Sequence, residues 1–197
     1  MTKPLPQDSL DQIFLKARTY NGYLDTAVTE DQIQAIWDLM KMGPTSANLL
    51  PARLVWCTTP EAKEKLAVLS SSTNADKIRK APVTLIIGMD INFHEYAPEL
   101  FPHAPNVKDW YPDPVAREVM ALRNSSLQGA YFIIAARALG FDTGPMSGFD
   151  NAAVDAAFFA DTPHVKSNFI STLGHGDPST IFDRLPRPAF GKFNRID

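Results

Sequence analysis

One stretch narrows the possible folds more than any other. Ala116 to Leu139 is long enough for at least about six helical turns at 3.6 residues each. From Leu127 onward it is apolar nearly all the way round, and such a helix belongs in the centre of a protein or in a subunit interface. Ser125, Ser126, Gly129 and Ala130 are small and permit another backbone to come close. The run does not read as a membrane span: its best candidate, Ala130 to Leu139, falls short of the roughly 20 apolar residues required and contains Arg137.

Other elements follow from local chemistry. Thr29-Glu-Asp-Gln32 matches a capping box, in which the Thr hydroxyl and the Gln amide satisfy backbone donors left free at a helix start. Ile33, Ile36, Trp37 and Met40 then recur at i, i+3, i+4 and i+7 as one apolar face, and Gly43-Pro44 ends that helix. Arg53 to Thr58 reads as a strand, and Thr59-Pro60 opens a short helix with proline at its first position. Pro82 to Met89 is rich in β-branched residues and apolar on both faces, the pattern of a central strand. Asn74 to Lys80 predicts a short polar helix or turn, Asp150 to Phe159 a helix, and Val165 to Leu173 a further strand. The proline cluster from Pro98 to Pro114, with Trp110 and Tyr111, reads as an ordered excursion, because linkers are poor in large aromatics. The tail after Gly174 has no strong periodicity. Strands mixed with helices make the class α+β or α/β, and the pattern alone leaves the topology open.

A chain of 197 residues fits one domain, 1–197. A 45% apolar fraction is enough for a sizeable core. The formal net charge of −3 argues against the basic footprint of a nucleic-acid binder, though not against a local cationic pocket for a phosphate. Met1 to Asp11 is polar and has no secretory h-region, so a soluble, cytoplasmic setting is expected. Cys57 is the only cysteine, which rules out an intrachain disulfide and suits a reducing compartment. It reads as a small buried hydrophobe rather than a catalytic thiol.

Common catalytic signatures are missing. Gly144-Pro-Met-Ser-Gly148 lacks the spacing of a nucleophile elbow, and Gly174-His-Gly176 lacks the third glycine of a dinucleotide fingerprint. His94, His103, His164 and His175 are scattered without metal-ligand spacing. Two segments say more. Gly43-Pro-Thr-Ser-Ala-Asn48 places hydroxyls and an amide at a chain break directly after a helix, although such residues also make a plain turn. Arg18-Thr19-Tyr20-Asn21 suits a phosphate, since Arg presents a planar fork of donors and Thr adds a hydroxyl, or else a solvated loop.

Taken together and in order, these segments resemble the nitroreductase family over nearly the whole chain. The resemblance implies an α+β fold with a central, mostly antiparallel sheet flanked by helices, and the long helix in the core of a homodimer. It implies bound FMN at the subunit interface, with NADPH or NADH as co-substrate and hydride passing by a ping-pong route through flavin N5. Arg18, Thr19 and Tyr20 match the segment that grips the FMN phosphate, and Leu185-Pro186-Arg187 resembles the C-terminal pattern that supplies a second cation. Pro44-Thr-Ser-Ala-Asn-Leu-Leu-Pro-Ala52 is similar to the segment lining the flavin pocket, which maps Pro44, Thr45, Ser46 and Asn48 onto flavin contacts. Asn74 and Lys77 match a pair reaching the ring and ribityl region. Pro145-Met146-Ser147-Gly148-Phe149 resembles the loop whose backbone lies against the ring.

Leu50 and Ala52 stand where the family usually carries Gln and Trp, and Gly22 where some relatives carry a flavin-contacting Lys, which leaves Lys77 as the cation for the ring. RTYNGY, KMGPTSAN, FPH, RNSS and DTGPMSGFD are similar to one branch, the malonic semialdehyde reductases of pyrimidine degradation, close to the 3-hydroxypropionate dehydrogenases. Such a substrate needs a cation for its carboxylate, and Arg53 and Arg123 are the candidates. No metal, nucleic acid or membrane is expected. Two further readings stay open: the same flavin site acting on nitroaromatics or quinones, and a non-catalytic α+β binding protein.

Overall fold

The computed structural model describes residues 3–197. Four strands, β1 (Ala52–Cys57), β2 (Val83–Asp90), β3 (Asp142–Met146) and β4 (Val165–Gly174), form one antiparallel sheet in the order β1-β2-β4-β3. The helices in chain order are α1 (Gln7–Leu10, continued by a wider turn over Asp11–Leu15), α2 (Glu30–Met40), α3 (Pro60–Ala67) and α4 (Ser72–Lys80). After them come α5 (Ala97–Leu100), α6 (Pro114–Ala138), α7 (Asn151–Phe158) and α8 (Phe190–Phe193). The α+β class and the antiparallel sheet agree with expectation.

β2 is the central strand, and all of it is buried. Its alternation sorts the core into two layers. Val83, Leu85 and Ile87 pack with Ile36 and Met40 of α2 and with Phe132, Ala135 and Ala136 of α6. Ile86 packs on the opposite side with Leu66 of α3, Ala75 and Ile78 of α4 and Val154 of α7. A third, smaller core of Leu49, Met89, Phe93, Ala97, Val107 and Ala121 anchors the excursion between β2 and α6. The capping box of α2 is complete: Thr29 N–H donates to Gln32 Oε1 (2.9 Å) and Gln32 N–H to Thr29 Oγ1 (3.3 Å).

α6 differs from its sequence reading in one respect. Ala121, Asn124, Gln128, Phe132 and Ala136 form a buried face, but Val119, Leu122 and Leu127 of this chain remain exposed. An apolar helix here is covered on one side only. β3 has no strand signal in sequence, because Gly144 and Pro145 have little strand preference; its pairing with β4 is a tertiary event. α1 likewise carries no buried residue and has no apolar stripe to read. Among the described residues no helix is long and apolar enough to cross a membrane.

Cys57 lies buried at 1% exposure, and burial pushes its thiol up to about 11. The unfolded thiol ionises near 9.0, so between those values the unfolded chain releases its proton first and stability falls as pH rises. Urea midpoints measured from pH 8 to pH 11 are expected to drop by the equivalent of about 2 kcal/mol. The drop should be shallower in Cys57→Ala. An equal slope in both proteins would assign it to other groups, such as Tyr23, whose hydroxyl is also raised by burial.

Candidate functional site

The segment after α1 lies along the start of β3. Thr19 pairs with Thr143, and Tyr20 N–H donates to the Thr143 carbonyl (3.3 Å). Gly144 permits this approach, since a Cβ there would lie 2.8 Å from the Tyr20 carbonyl oxygen. Asn21 Nδ2 donates to Thr180 O (2.9 Å), which ties the segment to the tail. Burial, with Asp142 adding to it, raises the Tyr20 hydroxyl, so it stays neutral.

This docking places Arg18 and Thr19 on a cavity of about 340 Å³ that is also lined by Arg137, Arg184, Arg187 and Asp183. Each guanidinium is steadied by a carbonyl: Arg18 by Phe182 O, Arg137 by Ile13 O (3.0 Å), Arg184 by Ala17 O (3.0 Å), Arg187 by Leu185 O (3.0 Å). Carbonyls are neutral, so among the described residues lining the cavity four positive groups face one carboxylate, that of Asp183. Such a donor set suits an anion of more than one charge.

From Thr143 the strand runs about 10 Å to Met146, at about 3.4 Å per residue. Beyond it, the Gly148 carbonyl accepts from Asn74 Nδ2 (3.0 Å) and from Ser71 N–H (2.9 Å). A Cβ at Gly148 would lie 2.7 Å from Asn74 Nδ2, so a larger residue there would displace that amide. Lys77 follows Asn74 by three residues on the same helix face, and its ammonium has no ion-pair or hydrogen-bond partner among the described residues. Beside this cluster lies an open, largely apolar hollow of about 360 Å³, between Ser126, Ala130 and Ile133 of α6 and Pro145–Ser147 with Phe169.

The segment from Pro44 to Leu50 is strained. Ala47, Asn48 and Leu50 all have left-handed φ, at 47°, 53° and 40°. Each non-glycine residue so placed costs roughly 1 kcal/mol or more and persists only where its surroundings over-determine it. They do so here. Ser46 N–H donates to Asn124 Oδ1 (2.8 Å), Ala52 N–H to Gln128 Oε1 (2.8 Å), and Tyr131 OH to the Pro44 carbonyl (2.8 Å). Leu50 N–H donates to Thr45 Oγ1 (3.2 Å), while Asn48 Nδ2 donates to Leu100 O (2.8 Å) in the excursion.

Asn124, Gln128 and Tyr131 are spaced i, i+4, i+7 on α6. So are Ser126, Ala130 and Ile133, two residues on, which is about 200° around the helix. Within one chain, therefore, Pro44–Asn48 and Pro145–Gly148 lie on opposite flanks of α6. The structure brings Arg18, Thr19 and Arg187 to one cavity, and Asn74 to Gly148, but it does not bring Pro44, Thr45, Ser46 and Asn48 to either.

Arg53 is heavily engaged: Nη2 pairs with Asp90 Oδ2 (2.6 Å), Nη1 donates to Leu50 O and Ala52 O, and the group sits 4.6 Å over the Tyr96 ring. Arg123 is exposed on α6, and among the described residues its guanidinium meets only Met120 Sδ (3.7 Å). At Gly22 a Cβ would fall 2.7 Å from Thr180 Cγ2, so a lysine does not fit without displacing Thr180. Sequence reasoning missed Arg137, Arg184, Asn124 and Gln128. Arg137 could have been found as a cation inside an apolar run, a placement rare without a partner. Among the described residues no group of three His, Cys, Asp or Glu side chains is placed to hold a metal ion.

Comparison with known proteins adds to this geometry. The family model described as Nitroreductase family matches residues 14–175. A Caulobacter protein named “Putative NADH dehydrogenase/NAD(P)H nitroreductase” is 55% identical over 188 residues, covering 95% of this chain and 96% of its own. A like-named protein of Stenotrophomonas maltophilia is 54% identical over 197 residues, covering 100% of both. Among solved structures, a “putative nitroreductase in complex with FMN” from Exiguobacterium sibiricum superposes with a TM-score of 0.87 over 100% of both chains, at 17% identity.

Proposed function

The chain belongs to the nitroreductase family, and from that premise we propose that it is an FMN-dependent oxidoreductase that takes hydride from NADPH or NADH and reduces malonic semialdehyde to 3-hydroxypropionate. One observation carries the flavin part of this reading: β3 joins the arginine cavity at its Thr143 end to the Asn74–Gly148 cluster beyond Met146. A phosphate at one end and a planar ring at the other match those two chemistries. Arg18, Thr19 and Arg187, with Arg184, would hold the phosphate, and Tyr20 would close the segment over β3. Asn74, Lys77 and the Pro145–Met146–Ser147–Gly148 loop would hold the ring.

FMN, when bound, supplies the hydride carrier that no side chain can provide. The residues supply binding, charge and exclusion of water. Lys77, a cation without a protein partner among the described residues, would stabilise negative charge at the ring end. Gly148, whose carbonyl is held by Asn74 and Ser71, keeps the loop backbone in one position.

The proposed active form is a homodimer of one-domain chains. If two copies of α6 pack about a two-fold axis that runs along the helix, opposite flanks of the two copies become neighbours. Pro44, Thr45, Ser46 and Asn48 of one copy would then face Pro145–Gly148 of the other, and Val119, Leu122 and Leu127 would be covered.

The substrate arm has a competitor. The engagement of Arg53 with Asp90 and the apolar hollow between Ile133, Met146 and Phe169 favour nitroaromatics or quinones, leaving Arg123 as the cation for a carboxylate. Purified protein should show flavin absorbance that NADPH or NADH bleaches under anaerobic conditions and malonic semialdehyde restores. A colourless protein that neither takes up FMN nor oxidises a nicotinamide overturns the reading. Reoxidation by nitroaromatics or quinones at rates far above any aldehyde transfers the activity to the second substrate class.

A further inference from the structure

The arginine cavity holds more positive charge than the two arginines matched by sequence. Arg137, in the last turn of α6, reaches it from the apolar helix. Its Nη1 donates to Ile13 O (3.0 Å), and its Nε is buried with no hydrogen-bond partner among the described residues. Burial works against its charge; Asp142 opposes that effect and Arg184 reinforces it. A neighbouring dianion would reverse the balance.

The same arginines cross-link three parts of the chain that are remote in sequence. Arg18 holds Phe182 O, Arg184 holds Ala17 O, Arg137 holds Ile13 O, and Gln12 Nε2 returns a bond to the Arg137 carbonyl (2.7 Å). The tail has little else to anchor it, for Phe182 and Leu185 are 79% and 75% exposed. Four like charges share one cavity with one lining carboxylate, Asp183, and an entering anion relieves the repulsion that remains.

We propose that Arg137 is an additional phosphate-binding residue, and that filling the cavity clasps segments 11–18 and 181–187 against the end of α6. The inference rests on the flavin reading and adds a residue and a consequence to it. A merely structural Arg137 would serve any flavin equally, whereas a phosphate ligand distinguishes FMN from riboflavin.

The test measures dissociation constants of FMN and of riboflavin, which has the ring but no phosphate, for the flavin-stripped full chain. Arg137→Gln is expected to weaken FMN about tenfold or more, the worth of a charged hydrogen bond, and to leave riboflavin unchanged. Arg137→Lys should fall between Arg137→Gln and the unaltered chain. In the unaltered chain, hydrogen exchange should show FMN but not riboflavin protecting 11–18 and 181–187, a readout independent of how the variants fold. Equal weakening of both ligands, or equal protection by both, overturns the inference. If the chain takes up neither flavin, the flavin reading fails by itself. Protection of the same two segments by inorganic phosphate then sustains the anion clasp, and no protection ends it.

Discussion

Arg53→Ala should lower stability by about 3 kcal/mol and the melting temperature by about 6–12 °C. The reason is Asp90, which is fully buried and whose Oδ2 meets Arg53 Nη2 at 2.6 Å. Asp90 Oδ1 is occupied by Asn92 N–H (2.7 Å) and has His164 Nε2 at 3.9 Å, so removal of the guanidinium leaves a buried carboxylate without its close counter-charge. Arg53 also donates to the carbonyls of Leu50 and Ala52, so the strained segment loses two of its ties at the same time. The double variant Arg53→Met with Asp90→Asn removes both charges and should recover at least half of the loss. Thermal unfolding of the three proteins decides the matter. If Arg53→Ala melts normally and loses only its kcat/KM for a carboxylated aldehyde, Arg53 is a substrate ligand and not a structural anchor.

Phe132→Ala is expected to be still more damaging, at about 3–5 kcal/mol. Phe132 is 0% exposed and sits where α6, α2 and β2 meet, its ring edge-on to Trp56 at 5.8 Å. A truncation there leaves a cavity that rigid neighbours cannot close. Its wider consequence follows from the position of α6. Asn124, Gln128 and Tyr131 on one flank hold Pro44–Leu50, and Ser126, Ala130 and Ile133 on the other border the Pro145–Ser147 loop. A loosened α6 should weaken flavin uptake although Phe132 touches no candidate ligand. Phe132→Leu, which refills most of the volume, should restore both properties. A cofactor affinity that stays constant while the melting temperature falls would uncouple the core from the site.

Much of the fold is readable because local signals agree with it. The capping box and the 3.6-residue stripe of α2 depend only on neighbours in sequence. β2 announces itself as a central strand because every residue in it is buried. β3 and α1 are not readable. The first is stabilised by pairing with β4 residues some 28 positions away, such as Thr172 opposite Gly144, and the second buries nothing of its own. Of the proposed site, Arg18 and Arg187 can be placed in one functional group only through resemblance. The 168 residues between them are closed by side chains donating to distant carbonyls, and hydrogen bonds of that kind leave no periodic trace.

What the sequence determined by itself is most of the elements, β3 and α1 apart, and the buried face of α2 and β2, because helix caps, apolar spacing and β-branched runs act over a few residues. Its long apolar helix also announced that something must cover it. Only the tertiary structure decided which side of that helix the chain itself covers. It placed Pro44–Asn48 and Pro145–Gly148 on opposite flanks, gathered Arg137 and Arg184 beside Arg18 and Arg187, and committed Arg53 to Asp90. Charge and hydrogen bonding act through space between side chains remote in sequence. Their outcome is set once the sheet order β1-β2-β4-β3 has fixed which segments meet.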